Sequence, residues 1–368
     1  MSNFTEKQYR LWLTSILGVG NIKAKVLLEM FESAENVFNL PSAKLYEISF
    51  LNNNNIMEMV SFREELILEK EAELERLGIK YISTCDEGYP FYLKEIKQPP
   101  VILYYKGNLL DLKDSLPISV IGARNCTSYG KEMTGKIAKE LALNGAIVVS
   151  GLARGVDTYA HKAVVDMGGI TVAVIGSGLD VYYPAENRKL FDEICKDGCV
   201  FSEFPPGTKP LKQNFPLRNR IIAGISRGIV VVEARARSGT SITVNYASDE
   251  GRDVFCIPGN ATSVLSDGTN KLIREGAILV TEGSQVLEEY YNLSVEFLKE
   301  KIEEKDISKL STEEKIIYLE LKKRKKSTVE SLLSINSEFT VDSIIYILMM
   351  LEFKRYVKKE MGNSYVAL

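Results

Sequence analysis

The sequence predicts an α/β protein with a Rossmann-like parallel sheet at its core. An N-terminal helical region and a C-terminal winged helix flank that core. Three observations carry this. Short β-rich runs recur between about 115 and 291, and they are apolar throughout instead of alternating, the pattern of strands buried on both faces. Each run leads into a Gly-containing loop and then a helical stretch, as in a parallel sheet covered on both sides. At 368 residues the chain is too long for one core and should divide into two or three domains.

Residues 1–110 read as mainly helical. The stretch TSILGVGNIKAKVLLEMF places a Gly18-Val19-Gly20 turn between two amphipathic runs, a helix-hairpin-helix or SAM-like pattern. Its turn amides could approach a phosphate, or it could be an ordinary tight turn of a small bundle. The core domain spans 111–291. Its expected strands are Ile118–Ile121, Ala146–Ser150, Thr171–Ile175, Cys199–Glu203, Ile229–Glu233, Asp253–Ile257 and Ile278–Thr281. Residues 292–309 are charged, with little apolar stripe beyond Leu298 and Ile302, and read as a linker or an exposed helix. In 310–368, helical segments at Thr312–Lys323, Thr328–Leu333 and Val341–Leu351 precede two strands around a Gly362-Asn363 turn, a winged-helix pattern. The basic run Lys322–Lys326 could meet DNA or merely solvate a helix end.

Composition narrows the function classes. The formal net charge is −3, so any polyanion must be held by local patches and not by a bulk field. The start, MSNFTEKQYRLWL, lacks the pattern of a signal peptide, and no apolar stretch approaches a membrane span. Five cysteines, an odd number scattered through apparent core elements, fit a reduced, cytoplasmic protein better than a disulfide framework.

In an open parallel sheet, ligands bind beyond the carboxyl ends of the strands. Here those ends read Gly122-Ala123-Arg124, then Ser150-Gly151-Leu152-Ala153-Arg154, then Gly176-Ser177-Gly178 leading to Asn187, Arg188 and Lys189. Further on come Phe215, Arg218, Asn219 and Arg220, then Glu233 followed by Arg235, Arg237, Ser238, Gly239 and Thr240. Glycines let a backbone approach a ligand, helix N-termini attract anions, and arginines add bidentate phosphate contacts. Separate Arg-bearing loops on one edge imply several phosphates spread along a groove, although any single one of these arginines could be solvated surface.

Other chemistries lack parts. GARNCTSYG after the first strand has no dinucleotide fingerprint, and no phosphate-binding loop of the Gly-x-x-x-x-Gly-Lys-Ser/Thr type occurs. His161 is the only histidine, which removes most acid–base and zinc schemes. It follows Asp157 by four residues, so the two should face each other across one helical turn, a structural pair supporting the second loop in preference to a functional one. Cys195 and Cys199 have no second ligand pair, so no metal is expected. Glu203 and Glu233 could serve catalysis or orient the arginines, and the orienting role is the preferred reading. The expectation is therefore a protein without cofactor, metal or catalytic residues.

The strand-end segments ISVIGARNCTSYG, VVSGLARGVDTYAHKAV, TVAVIGSGLDVYYPAEN, FSEFPPGTKP, NFPLRNRIIAGIS, VVVEARARSGTSIT, GRDVFCIPGN and GTNKLIREGA closely resemble the DNA-processing protein A (DprA/Smf) family. They run from about Ile118 to Val280, nearly half the chain. The resemblance implies a cytoplasmic bacterial protein that binds and protects single-stranded DNA during natural transformation. It also implies a homodimer that helps load the RecA recombinase. The family's strand-binding arginine falls on Arg124, a further basic contact on Arg188 or Lys189, and its Phe-Pro-x-Arg-Asn-Arg motif on Phe215, Pro216, Arg218, Asn219 and Arg220. Ala123 stands where serine is commoner, and Ser238-Gly239-Thr240-Ser241 replaces the usual Ser-Gly-Ser-Leu.

On this reading phosphates lie over the loop amides, Arg124, Arg218 and Arg220, and a base packs on Phe215 or a nearby tyrosine. Asn270–Ala277 is the candidate dimer surface. The alternative is a nucleotide-processing enzyme of the phosphoribohydrolase type on a related core. Such enzymes carry a Pro-Gly-Gly-x-Gly-Thr-x-x-Glu motif, and the corresponding stretch here places Thr243 where the glutamate would stand.

Overall fold

The unbroken apolar runs of the central region become neighbouring strands of one twisted sheet. The computed structural model describes residues 4–18, 22–61, 63–290, 310–324, 327–333, 339–354, 356–360 and 364–367. The chain divides into two compact units, Met1–Asn292 and Leu293–Leu368.

The first unit begins with six helices, α1 (Glu6–Leu17), α2 (Ile22–Phe31), α3 (Ala34–Phe38), α4 (Ser42–Tyr46), α5 (Asn53–Val60) and α6 (Arg63–Arg76). A capping box fixes the start of α1, with Thr5 and Gln8 satisfying each other's amides. Trp12 is fully buried at the centre of this bundle, edge-on to Phe38 at 5.0 Å. Val19 and Gly20 of the Gly-x-Gly turn lie outside the described residues.

Strands β1 (Lys80–Ser83) and β2 (Ile102–Gly107) follow, with α7 (Phe91–Lys94) between them. Then come β3 (Leu116–Ile121), α8 (Ser128–Leu143), β4 (Ala146–Ser150), α9 (Val156–Val165), β5 (Thr171–Ile175), α10 (Arg188–Asp197) and β6 (Cys199–Ser202). The unit continues with α11 (Asn214–Ile225), β7 (Gly228–Val231), α12 (Gly239–Asp249), β8 (Asp253–Cys256), α13 (Asp267–Arg274) and β9 (Ile278–Leu279). A last helix, α14, runs over 283–290.

The nine strands are ordered β1-β2-β6-β5-β4-β3-β7-β8-β9. From β6 to β9 every neighbouring pair is parallel, whereas β1 pairs antiparallel with β2 and β2 with β6. The sheet therefore starts at Lys80, and the expected boundary at 110/111 falls between two of its strands. KYIS and ILYYKG are too short to stand out from the helical pattern around them, and it is pairing with β6 that recruits them.

Side chains divide between two layers. Ile118, Val120, Val148 and Val230 pack with Ile137, Leu141, Val156 and Ala160 of α8 and α9. Ile121, Val149, Ile229 and Val231 pack with Ile221, Ile222, Val244 and Ala247 of α11 and α12. The chain runs outward one way through β4, β5 and β6 and the other way through β7, β8 and β9. The switch point between β3 and β7 opens a crevice at the carboxyl edge.

In the second unit, α15 (Thr312–Arg324), β10 (Ser327–Thr328), α16 (Val329–Leu333), α17 (Val341–Phe353), β11 (Val357–Glu360) and β12 (Ser364–Ala367) surround a core of Ile317, Leu321, Leu332, Ile344, Leu348 and Leu351. Its antiparallel sheet is ordered β10-β12-β11. The expected linker at 292–309 and the Gly362-Asn363 turn lie outside the described residues. No helix among the described residues is long and apolar enough to cross a membrane.

Candidate functional site

The crevice at the switch point is a cavity of about 750 Å³. Its walls come from the loop after β3 (Gly122, Ala123, Arg124, Asn125), the start of α9 (Ala153, Asp157), Tyr183, the approach to and first turns of α11, and the β7–α12 loop. Backbone bonds stitch these loops together. Ala123 N donates to Glu233 O at 2.8 Å, and Val156 N donates to Ala123 O at 3.2 Å. Gly155 is required there: its φ is +76°, and a Cβ would stand 2.2 Å from Ala123 O.

Among the described residues the lining charges are four basic side chains, Arg124, Lys212, Arg218 and Arg235, against one carboxylate, Asp157. This concentrates positive potential in a chain of negative net charge. Arg124, Lys212 and Arg235 are exposed. The Arg124 guanidinium carbon lies 5.0 Å from the centre of the Phe215 ring, that of Arg218 lies 5.9 Å away, and the Tyr183 ring stands 5.6 Å off. Gly176 underlies Phe215, with a ring carbon 3.3 Å from the position a Cβ would take.

Ser238, Gly239 and Thr240, at the N-terminus of α12, form another wall. Ser238 is the N-cap, but its side chain makes no capping bond, and its hydroxyl oxygen is buried without a partner among the described residues. First-turn amides have no partner within a helix, and the aligned peptide dipoles add partial positive charge, so this end favours an anion.

The structure separates the two motif arginines. Two residues apart on α11, they project to different sides of the helix. Arg218 faces the cavity but is buried: Nη1 donates to Gly151 O at 2.6 Å and to Val174 O, and Nε donates to Asn219 Oδ1 at 3.2 Å. Burial lowers its pKa to about 10, with Asp157 opposing and Arg124 reinforcing the shift. Arg220 turns away, and its Nη2 donates to both oxygens of buried Glu203 at 2.6 Å. The expectation that Arg220 meets phosphate in this groove is corrected: it does not line the cavity.

Of the candidate residues, Gly122, Arg124, Phe215, Arg218, Asn219, Ser238, Gly239 and Thr240 line the cavity together. Several others support it from behind. Ser150 is buried and donates to Val120 O, Gly151 sits against the Arg218 guanidinium, and Gly178 N donates to Thr208 O. Buried Asn187 donates to Leu152 O and Thr158 Oγ1. Three lie on the exposed flank, where Arg154 pairs with Glu186, Arg188 stacks on Tyr182 at 4.9 Å and Lys189 approaches Glu193 at 3.7 Å.

The expected Asp157–His161 pair is not formed. Thr171 donates its hydroxyl proton to Val148 O and so accepts from His161 Nδ1 at 2.8 Å, while Asp157 accepts from Ala153 N and flanks Arg218. Burial raises the Asp157 pKa, an effect opposed first by Arg218. Glu203 orients an arginine as expected. Glu233 does not: it accepts from the Thr127 amide and hydroxyl, fastening the start of α8. Tyr183, Lys212 and Asn125 were not among the candidates. The signal for Lys212 was its place just ahead of the Phe-Pro motif.

Residues 80–291 match the family model described as DNA recombination-mediator protein A, beginning where β1 begins. The chain is 45% identical over 267 residues to DNA processing protein DprA of Streptococcus pneumoniae, covering 72% of this chain and 92% of the relative. To DprA of Bacillus subtilis it is 40% identical over 220 residues, covering 60% and 74%. Among solved structures, that of DprA from Streptococcus pneumoniae is similar with a TM-score of 0.68 and 41% identity, covering 78% of this chain and 99% of that one. DNA processing protein A from Helicobacter pylori, whose structure is described as giving insight into its single-stranded DNA binding mode, is similar with a TM-score of 0.51 and 31% identity. That match covers 60% of this chain and 97% of the other.

Proposed function

The chain belongs to the DNA recombination-mediator protein A family, and we propose that its strand-end cavity binds single-stranded DNA. The observation that carries this is the ring of exposed cations, Arg124, Lys212 and Arg235, around the aromatic wall of Phe215 and Tyr183. Phosphates sit on these cations and on the α12 amides, and Arg218 adds field from behind. Bases pack against Tyr183, which is 40% exposed, more readily than on Phe215, whose ring is already engaged by Arg124 and Arg218. Stacking of this kind contributes about 1–3 kcal/mol per base. Arg154, Arg188 and Lys189 carry phosphates beyond the cavity, Arg154 by exchanging Glu186 for the strand.

A flexible, unstacked strand can follow loops that converge on a crevice, and a stiff duplex cannot. Contacts to phosphates and ring faces give little sequence preference. The bound strand is shielded, and the protein hands it to RecA as a cytoplasmic homodimer, with Asn270–Ala277 as the proposed subunit contact. Lys271, Arg274 and Glu275 are exposed there, consistent with that role. The order helix–strand–helix–helix–strand–strand of the second unit supports a winged helix, joined through a linker at 292–309 to the strand-binding domain.

Binding of labelled oligonucleotides tests the reading. The native chain should prefer single strands to duplex of the same sequence, and equal binding of the two would refute it. The hand-over is tested by the rate of RecA filament growth with and without the protein.

A further inference from the structure

A second cavity, of about 260 Å³, lies between the N-terminal helices and the β2–β6 part of the sheet, apart from the switch-point groove. Arg220 lines it. This side chain is only 6% exposed, and while Nη2 is held by Glu203, Nη1 is buried with no hydrogen-bond partner among the described residues. A buried donor without an acceptor is costly and marks a place where an acceptor belongs. The walls next to it are largely apolar, with Pro99, Val101, Ile102 and Pro205 among them. The mouth carries two cations. Lys25 has its ammonium 2.9 Å from Lys97 O, and Lys97 bonds to Asp249 O. Among the described residues the lining carboxylates are Glu203, engaged with Arg220, and Glu29, 3.6 Å from Lys25 and open to solvent.

An apolar slot with one buried donor at its base and cations at its mouth is complementary to a ligand with a flat body, an inward acceptor and an outward anion. We propose that this cavity takes a single nucleotide. A keto base lies between the apolar walls with its carbonyl oxygen toward the Arg220 guanidinium, whose buried Nη1 turns outward to meet it, and the phosphate meets Lys25 and Lys97. The nucleotide could be free or the end of a bound strand, and the chemistry is the same for both. The site is independent of the strand-end groove, so it stands or falls separately from the function proposed above.

Calorimetric titration of the full chain with thymidine monophosphate tests this, with inorganic phosphate and deoxyadenosine monophosphate as comparators. Binding should be tightest for thymidine monophosphate, weaker by at least about tenfold in Val26→Trp, which plugs the slot, and several-fold weaker in Lys25→Ala. Arg124→Ala, which alters only the groove, should leave it unchanged. Thermal unfolding checks that Val26→Trp is folded, and Lys25→Ala alters only a rim side chain. If Val26→Trp also weakens binding of a thymidine oligonucleotide, the occupant is a strand end. If it weakens only the mononucleotide, the occupant is free. Absence of mononucleotide binding, together with oligonucleotide binding that neither variant alters, would overturn the proposal, as would mononucleotide binding lost only in Arg124→Ala.

Discussion

The guanidinium of Arg124 is held 5.0 Å from the centre of the Phe215 ring. The exposed cation of the β3 loop is thereby pre-set over the aromatic wall of the crevice, and Phe215 is set in turn by Gly176 beneath it. Removing this cation with Arg124→Ala should weaken single-strand binding by roughly 10- to 100-fold, the value of about 1.5–3 kcal/mol for a charge-assisted hydrogen bond. Fluorescence anisotropy measures the loss, and the thermal midpoint should barely move because the side chain is exposed.

The two motif arginines should fail differently. Arg220→Ala takes the guanidinium from buried Glu203 and should cost about 3–5 kcal/mol of stability, read by denaturant unfolding. Arg220→Lys should restore part of that. Arg218→Ala should lower both stability and single-strand affinity, because Arg218 braces Gly151 and Val174 while facing the cavity.

Two glycine substitutions should have opposite signs. A Cβ on Gly151 would stand 2.6 Å from both Arg218 Nη1 and Asp157 Oδ2. Gly151→Ala should therefore destabilise by about 1–3 kcal/mol and weaken strand binding. Gly135, within α8, has nothing within 4 Å of its would-be Cβ. Gly135→Ala should stabilise by about 0.5–1 kcal/mol and leave binding alone. Thermal melts of both variants check the pair.

Acid should destabilise the fold through His161. Burial lowers its pKa from 6.5 to about 3, so between those values the unfolded chain binds a proton that the folded chain refuses. Stability from this group is complete above pH 6.5 and falls on acidification toward pH 3 by up to about 1.4 kcal/mol per pH unit. Asp157 works oppositely: its raised pKa lets the folded state take a proton first as the pH drops. Comparing unfolding free energies of the native chain and His161→Gln across pH 4–7 isolates the histidine, and the variant should show the shallower slope.

The core strands were legible because burial on both faces leaves an unbroken apolar run, and β4 and β5 fall where that pattern put them. β1 and β2 were not, since short strands recruited by antiparallel pairing carry no comparable run. At the site, glycines and arginines named the right loops. Direction was hidden: nothing in the spelling Arg218-Asn219-Arg220 says that one guanidinium faces the crevice and the other a buried carboxylate two residues round the helix. The same limit applied to Asp157 and His161, where helical spacing was right but Thr171, from elsewhere in the fold, bonds the histidine and Arg218 lies beside the aspartate.

The most direct measurement is the salt dependence of single-strand binding for the native chain and for Arg124→Ala, Lys212→Ala and Arg235→Ala, singly and combined. Log affinity should fall against log salt by about 0.7 per neutralised phosphate, each substitution should make the slope shallower, and the triple variant should bind weakly with little slope left. An unchanged slope and affinity in the triple variant would place the strand elsewhere on the molecule and contradict a groove at the switch point.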